Sequence, residues 1–223
     1  MPFNICTVVE GNTLPVFLKN LDKAQRSASI VELRADFIKG INKEAAIKLA
    51  ANTKLPSIFT CRHVKEGGEF KGSYKEQEEI LNIALSKKFN YVDIAFNNLI
   101  IEELSASAKK KLLISYHNFK TTPSSIELIA LLERMRETSP AIIKIATIVK
   151  SAKDIFTLAE ILKQKKSNEK LIVIGMGNEG KLTRVMFPMM GSYLTYASIG
   201  GKAAPGIMTS EEIKTIHKII SKS

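Results

Sequence analysis

Pro140 to Lys150, PAIIKIATIVK, is an apolar, β-branched run opened by proline, with one ionisable side chain, Lys144, in its middle. Such a run reads as a fully buried strand. Side chains alternate along a strand, so Ile142, Lys144 and Ala146 share one face and Ile143 and Ile145 the other. Burial works against an ammonium and favours the neutral amine that a nucleophile needs, which makes Lys144 a candidate for covalent chemistry. The competing reading is a lysine that snorkels from a strand end. The rest of the chain decides between them.

The run itself spans 141–147, and similar strand-like runs lie at 3–9, 29–34, 56–62, 91–96, 111–116, 170–175 and 193–198. Helical patterns fall between them at 13–27, 42–53, 75–88, 97–109, 124–138, 152–166 and 179–190, with a last one at 210–221. Asn42, Ser124 and Ser210 stand where N-caps belong. Strict alternation of strand and helix means a parallel sheet, and eight units suit an α/β chain closed into a (β/α)₈ barrel. A typical barrel of this kind has roughly 250 residues, so the loops here must be spare. An open dinucleotide-binding sheet fits poorly, because VVEGNT at 8–13 supplies no G-x-G-x-x-G after the first strand.

With 45% hydrophobic residues in 223, the chain can bury one full core, and we expect a single catalytic domain over 1–223. No linker or low-complexity block interrupts it, and no apolar run approaches the ~18 residues of a membrane helix. The start, MPFNICTVVEGN, lacks the basic segment and long apolar core of a secretory signal, so the expected location is cytoplasmic. Cys6 and Cys61 lie in strand-like runs and read as packed free thiols. A net charge of +11 raises the question of nucleic acid. The lysines are scattered over helical segments, as at Lys87-Lys88 and Lys109 to Lys111, without interleaved aromatics, so they read as solvated faces. Their field would help to draw in a small anionic substrate.

In a parallel barrel, chemistry gathers at the carboxyl ends of the strands. Here those ends carry Glu32 and Arg34, Arg62 with Glu66 just beyond, Asp93, His117 and Lys144, and Arg184 comes early in the helix after the seventh strand. Each could be a structural ion pair, but eight at one mouth point to a site. Metal-binding spacings are absent and only His117 of the three histidines is well placed, so no metal is expected. The set fits a Schiff-base mechanism on a small anionic carbonyl compound. Lysine condenses with a ketone, the iminium serves as electron sink, and histidine removes the α proton.

The segments VELRAD (31–36), TCRHVKEGG (60–68), SYHNF (115–119), IKIAT (143–147) and AAPG (203–206), in this order, resemble those of the type I 3-dehydroquinate dehydratases. The resemblance implies a (β/α)₈ barrel that converts 3-dehydroquinate to 3-dehydroshikimate in the shikimate pathway without a cofactor, and a homodimer binding neither nucleic acid nor membrane. It makes Lys144 the imine-forming lysine, His117 the general base and acid, and Glu66 the carboxylate that orients His117, assisted by Asp93. Glu32, Arg34 and Arg62 would hold ring hydroxyls and Arg184 the substrate carboxylate. Three positions depart from the family pattern: Ala95 replaces a glutamate, and Ala203 and Ile207 replace a serine and a glutamine that bind substrate. The last two lie in a segment, Gly200 to Ile207, whose glycines and Pro205-Gly206 suggest a lid. Another Schiff-base lyase or aldolase on the same barrel, and a non-catalytic basic barrel that binds RNA, are the alternatives.

Overall fold

A computed structural model describes residues 4–199 and 206–221. Nine strands are described: β1 Asn4–Val9, β2 Ile30–Arg34, β3 Ser57–Thr60, β4 Tyr91–Ala95, β5 Leu112–Asn118, β6 Ile142–Ile148, β7 Leu171–Met176, β8 Leu194–Ser198 and β9 Met208–Thr209. The helices are α1 Leu14–Gln25, α2 Lys43–Asn52, α3 Tyr74–Ser86, α4 Ile100–Glu103, α5 Ala106–Lys109, α6 Ser125–Glu137, α7 Ala152–Lys163, α8 Thr183–Met189 and α9 Ser210–Ile220. Strands β1 to β7 pair in parallel in chain order, and β8 pairs with β1. The sheet curls round until β7 meets β8. There the Leu171 carbonyl accepts from the Tyr193 N–H at 2.8 Å, and Ser192 Oγ accepts from the Val173 N–H at 3.2 Å.

Alternation sorts the side chains into two cores. Ile143 and Ile145 pack outward among the helices with Val31, Leu33 and Phe59. Ile142 and Ala146 point inward with Cys6, Ile58, Leu113 and Tyr196. Lys144 shares that inner face, as its run predicts. The amino-terminal end of the barrel holds Lys170 Nζ over the rings of Tyr91 and Tyr193, at 5.3 and 5.1 Å. Cys6 and Cys61 are buried free thiols.

Several boundaries differ from the sequence reading for local reasons. The helix expected at 97–109 is two short ones, because Leu104 turns extended and Ser105 begins a new helix by accepting from the Ala108 N–H. The helix expected at 179–190 starts only at Thr183, whose hydroxyl is turned back onto the Gly180 carbonyl at 2.7 Å. Asn42 and Ser124 cap α2 and α6 as expected, but α9 is capped by Thr209 in a reciprocal arrangement with Glu212. Ser210 lies one residue inside, its hydroxyl 3.4 Å from that of Thr7. The short β9, unforeseen, pairs with β8 and fixes the approach to α9.

Candidate active site

Inward-facing residues at the carboxyl ends of the strands surround a cavity of about 480 Å³. Glu32, Arg34, Arg62, His117, Lys144, Arg184 and Ile207, all expected at a site, line it. Asp93 and Glu66 do not, and Ala203 lies outside the described residues, as does most of the proposed lid.

Beneath the cavity lies a charge network. Lys144 is 6% exposed, and its Nζ is 3.4 Å from Asp93 Oδ2 and 3.9 Å from Glu32 Oε1. Asp93 also accepts from Arg62 Nη2 at 2.6 Å and from Ser115 Oγ at 2.5 Å. Its side chain is wholly enclosed, and Asp93 holds Arg62 and Lys144 in place from behind. Burial favours the neutral acid, but Arg62, Lys144 and the Ser115 hydroxyl outweigh it and hold this carboxyl well below the usual range. Arg62 likewise loses hydration, yet Asp93 beside it raises its pKa and keeps it charged. Glu32 accepts from the Thr60 hydroxyl at 2.8 Å. Arg34 grips Asp36 with two bonds of 3.0 and 2.8 Å and still faces the cavity.

His117 stands on β5, next to β6. Register pairs Ser115 with Lys144 and His117 with Ala146, so the imidazole sits one inward-facing position nearer the mouth than the amine. Desolvation first, then the charges of Arg62 and Lys144, push its pKa well below the ordinary histidine value, and the ring is neutral near pH 7. Its Nδ1 is enclosed without a hydrogen-bond partner among the described residues, while the rest of the ring borders the cavity.

The expected Glu66–His117 bond is absent. Glu66 instead accepts from the His63 N–H and Gln77 Nε2, each at 3.3 Å, and from Asn98 Nδ2 at 3.5 Å. The reason is local: Glu66 closes a one-turn 3₁₀ helix, Val64–Glu66, whose capping draws its carboxylate back toward His63. The carboxylate whose charge does favour protonation of His117 is Asp93. Glu66 and His117 still border one side cavity of about 310 Å³, where Ala95 also lies. Above them Phe119 stacks on the imidazole with ring centroids 5.9 Å apart. Gly67, at φ +81°, makes room for it, since a Cβ there would lie 2.2 Å from the Phe119 ring.

Arg184 is 7% exposed, and burial lowers its pKa to about 10. Its Nε donates to the Gly206 carbonyl at 2.6 Å and its Nη1 to the Tyr196 carbonyl at 3.3 Å. No carboxylate neutralises it among the described residues, so its charge is available to an anion in the cavity. Gly206 itself, at φ +81°, presses on the Gly177 carbonyl, where a Cβ would come within 2.0 Å.

The sequence reading missed Ser115, Thr60 and Tyr196. Alternation along their strands was the signal available, because it turns all three inward. No cluster of three or more His, Cys, Asp or Glu side chains suited to a metal occurs among the described residues.

Comparison with known proteins agrees with this geometry. A family described as Type I 3-dehydroquinase matches residues 5–223. The 3-dehydroquinate dehydratase of Coxiella burnetii (strain CbuK_Q154) is 42% identical over 204 residues, which cover 91% of this chain and 87% of that protein. The 3-dehydroquinate dehydratase of Methanocaldococcus jannaschii is 34% identical over 222 residues, 97% of this chain and 98% of that one. The crystal structure of 3-dehydroquinate dehydratase from Geobacillus kaustophilus HTA426 superposes with a TM-score of 0.90 over 100% of this chain and 92% of that one, and at 24% identity it supports the barrel fold. The chain belongs to the type I 3-dehydroquinase family.

Proposed function

We infer that this chain works as a 3-dehydroquinate dehydratase, a hydro-lyase of the shikimate pathway, with Lys144 as its nucleophile. The amine attacks the substrate ketone, the carbonyl oxygen leaves as water, and a protonated imine remains. His117, neutral near pH 7, takes a proton from the carbon α to that imine, and the C–H electrons flow into the iminium to give an enamine. The enamine expels the β-hydroxyl, which His117 protonates as it departs. Water then hydrolyses the conjugated imine, releasing the enone and restoring the amine.

Arg184 receives the substrate carboxylate, supported by its enclosed charge without an acidic partner among the described residues. Glu32, Arg34 and Arg62 hold ring hydroxyls, and Ile207 closes an apolar side of the cavity. Glu66 receives Nδ1–H of His117 once the ring is protonated, across the side cavity they share. Such a bond tightens on the catalytic path and is often unmade before it. Ala203 would have no hydrogen bond to offer from the loop. Residues 1–223 form one catalytic domain working in the cytoplasm as a homodimer, with exposed Phe156 on α7 and Met189 on the neighbouring α8 as apolar surface for a second copy.

The observation that carries the reading is the placement of an enclosed lysine and a neutral histidine on adjacent strands, opening into one cavity. Adding 3-dehydroquinate should raise the ultraviolet absorbance of a conjugated product, and chelators should not reduce the rate. No absorbance change with substrate and folded protein would overturn the reading.

A further inference from the structure

Tyr196 has no part in the scheme above, yet it touches two buried cations of the site, Lys144 and Arg184. Alternation along β8 turns it into the barrel, beside Cys6 of β1. The centroid of its ring lies 4.2 Å from Lys144 Nζ, and its carbonyl accepts from Arg184. The hydroxyl is enclosed and has no hydrogen-bond partner among the described residues. An enclosed hydroxyl without a partner is a cost, so it is the ring that accounts for an aromatic residue here. A cation within about 6 Å of an aromatic face is attracted by the ring quadrupole, more strongly where water is excluded.

We propose that Tyr196 is a positioning residue that holds the Lys144 nitrogen against the cavity floor and favours the iminium once it has formed. The ammonium has three N–H groups to share between Asp93 and Glu32, whereas a protonated imine keeps one. Hydrogen bonding to the carboxylates must therefore weaken as the covalent intermediate forms. Attraction to the ring face needs no proton and persists, so its relative weight grows at the step where the positive charge is used as an electron sink.

This inference rests on Lys144 being the imine-forming residue, and its test keeps the two apart. The isosteric series runs from Tyr196→Phe through the mono-, di- and trifluorinated phenylalanines at that position, each fluorine withdrawing electron density from the ring face. Tyr196→Phe should stay within about threefold of wild-type kcat, and kcat should then fall stepwise by about tenfold across the series. The fraction of Lys144 reduced by a fixed borohydride pulse with 3-dehydroquinate should fall in step. KM should move less than threefold, because Arg184 still holds the carboxylate. A kcat that stays flat along the series, or a Tyr196→Phe loss as large as that of the trifluorinated form, overturns the proposal. If borohydride labels no Lys144 even in the wild type, the imine reading fails first and takes this one with it.

Discussion

Replacing Asp93 with asparagine should be among the most damaging conservative changes in the chain. One wholly enclosed carboxylate serves Arg62 at 2.6 Å and Lys144 at 3.4 Å. At an effective dielectric near 20, the lysine contact alone is worth about 5 kcal/mol of gross Coulomb attraction, most of it offset by lost hydration. Removing the charge leaves Arg62 and Lys144 without the carboxylate they share. Breaking a buried pair this way costs about 3–5 kcal/mol, and for a chain of this size that lowers Tm by about 6–20 °C. The sign with pH follows from Asp93 being held below its ordinary pKa. Its contribution is fully present above the unfolded value near 4 and is lost as pH falls through the folded value, so the gap between wild type and Asp93→Asn should be constant from pH 6 to 9. Urea unfolding of wild type, Asp93→Asn, Lys144→Met and the double variant measures this. The double variant should lose less than the sum of the singles, because Lys144→Met removes one stranded cation. Equal stability of Asp93→Asn and wild type at pH 7, or strictly additive losses, would refute the network.

Three further outcomes are expected. His117 is depressed in the folded protein, so below pH 6.5 the unfolded chain binds the extra proton and stability should fall toward acid by up to roughly 1.4 kcal/mol per pH unit from this group. His117→Asn should flatten that slope between pH 7 and 5, and an unchanged slope would place the effect elsewhere. Gly67→Ala puts a methyl against Phe119 at a left-handed position, costing about 1–2 kcal/mol of stability and displacing the ring stacked on His117. Its kcat should drop about tenfold or more, while wild-type kcat would show that the stack does not position the base. Ile207→Gln offers the cavity a hydrogen-bond donor, and a bond to a charged carboxylate is worth roughly 1.5–3 kcal/mol, so KM should fall about tenfold. An unchanged KM would mean that residue 207 does not reach the substrate.

Much of this arrangement can be read from the residues. Alternation in IIKIAT places Lys144 inside the barrel, and the same period places Glu32 and Arg34 on one face and His117 beside them. What local pattern does not carry is register between strands. That Ser115 lies opposite Lys144, and that Asp93 reaches Arg62 and Lys144 together, depends on how β4, β5 and β6 slide past one another. Glu66 is instructive for the opposite reason. The family resemblance implied contact with His117, but the one-turn helix at 64–66 uses its carboxylate as a cap, a local claim that outweighs the distant one. Ser105 could have announced the break between α4 and α5, since a serine capping position inside a helical pattern is a restart signal. The Tyr196 ring escaped notice because an aromatic residue in a strand ordinarily means packing.

Covalent trapping is the most direct test of the central claim. Wild-type protein treated with borohydride in the presence of 3-dehydroquinate should lose activity and gain the mass of one reduced substrate, and peptide mapping should place it on Lys144. Lys144→Met should gain no mass. A label centred on Lys150 or any other lysine, or full turnover by Lys144→Met, would contradict the account.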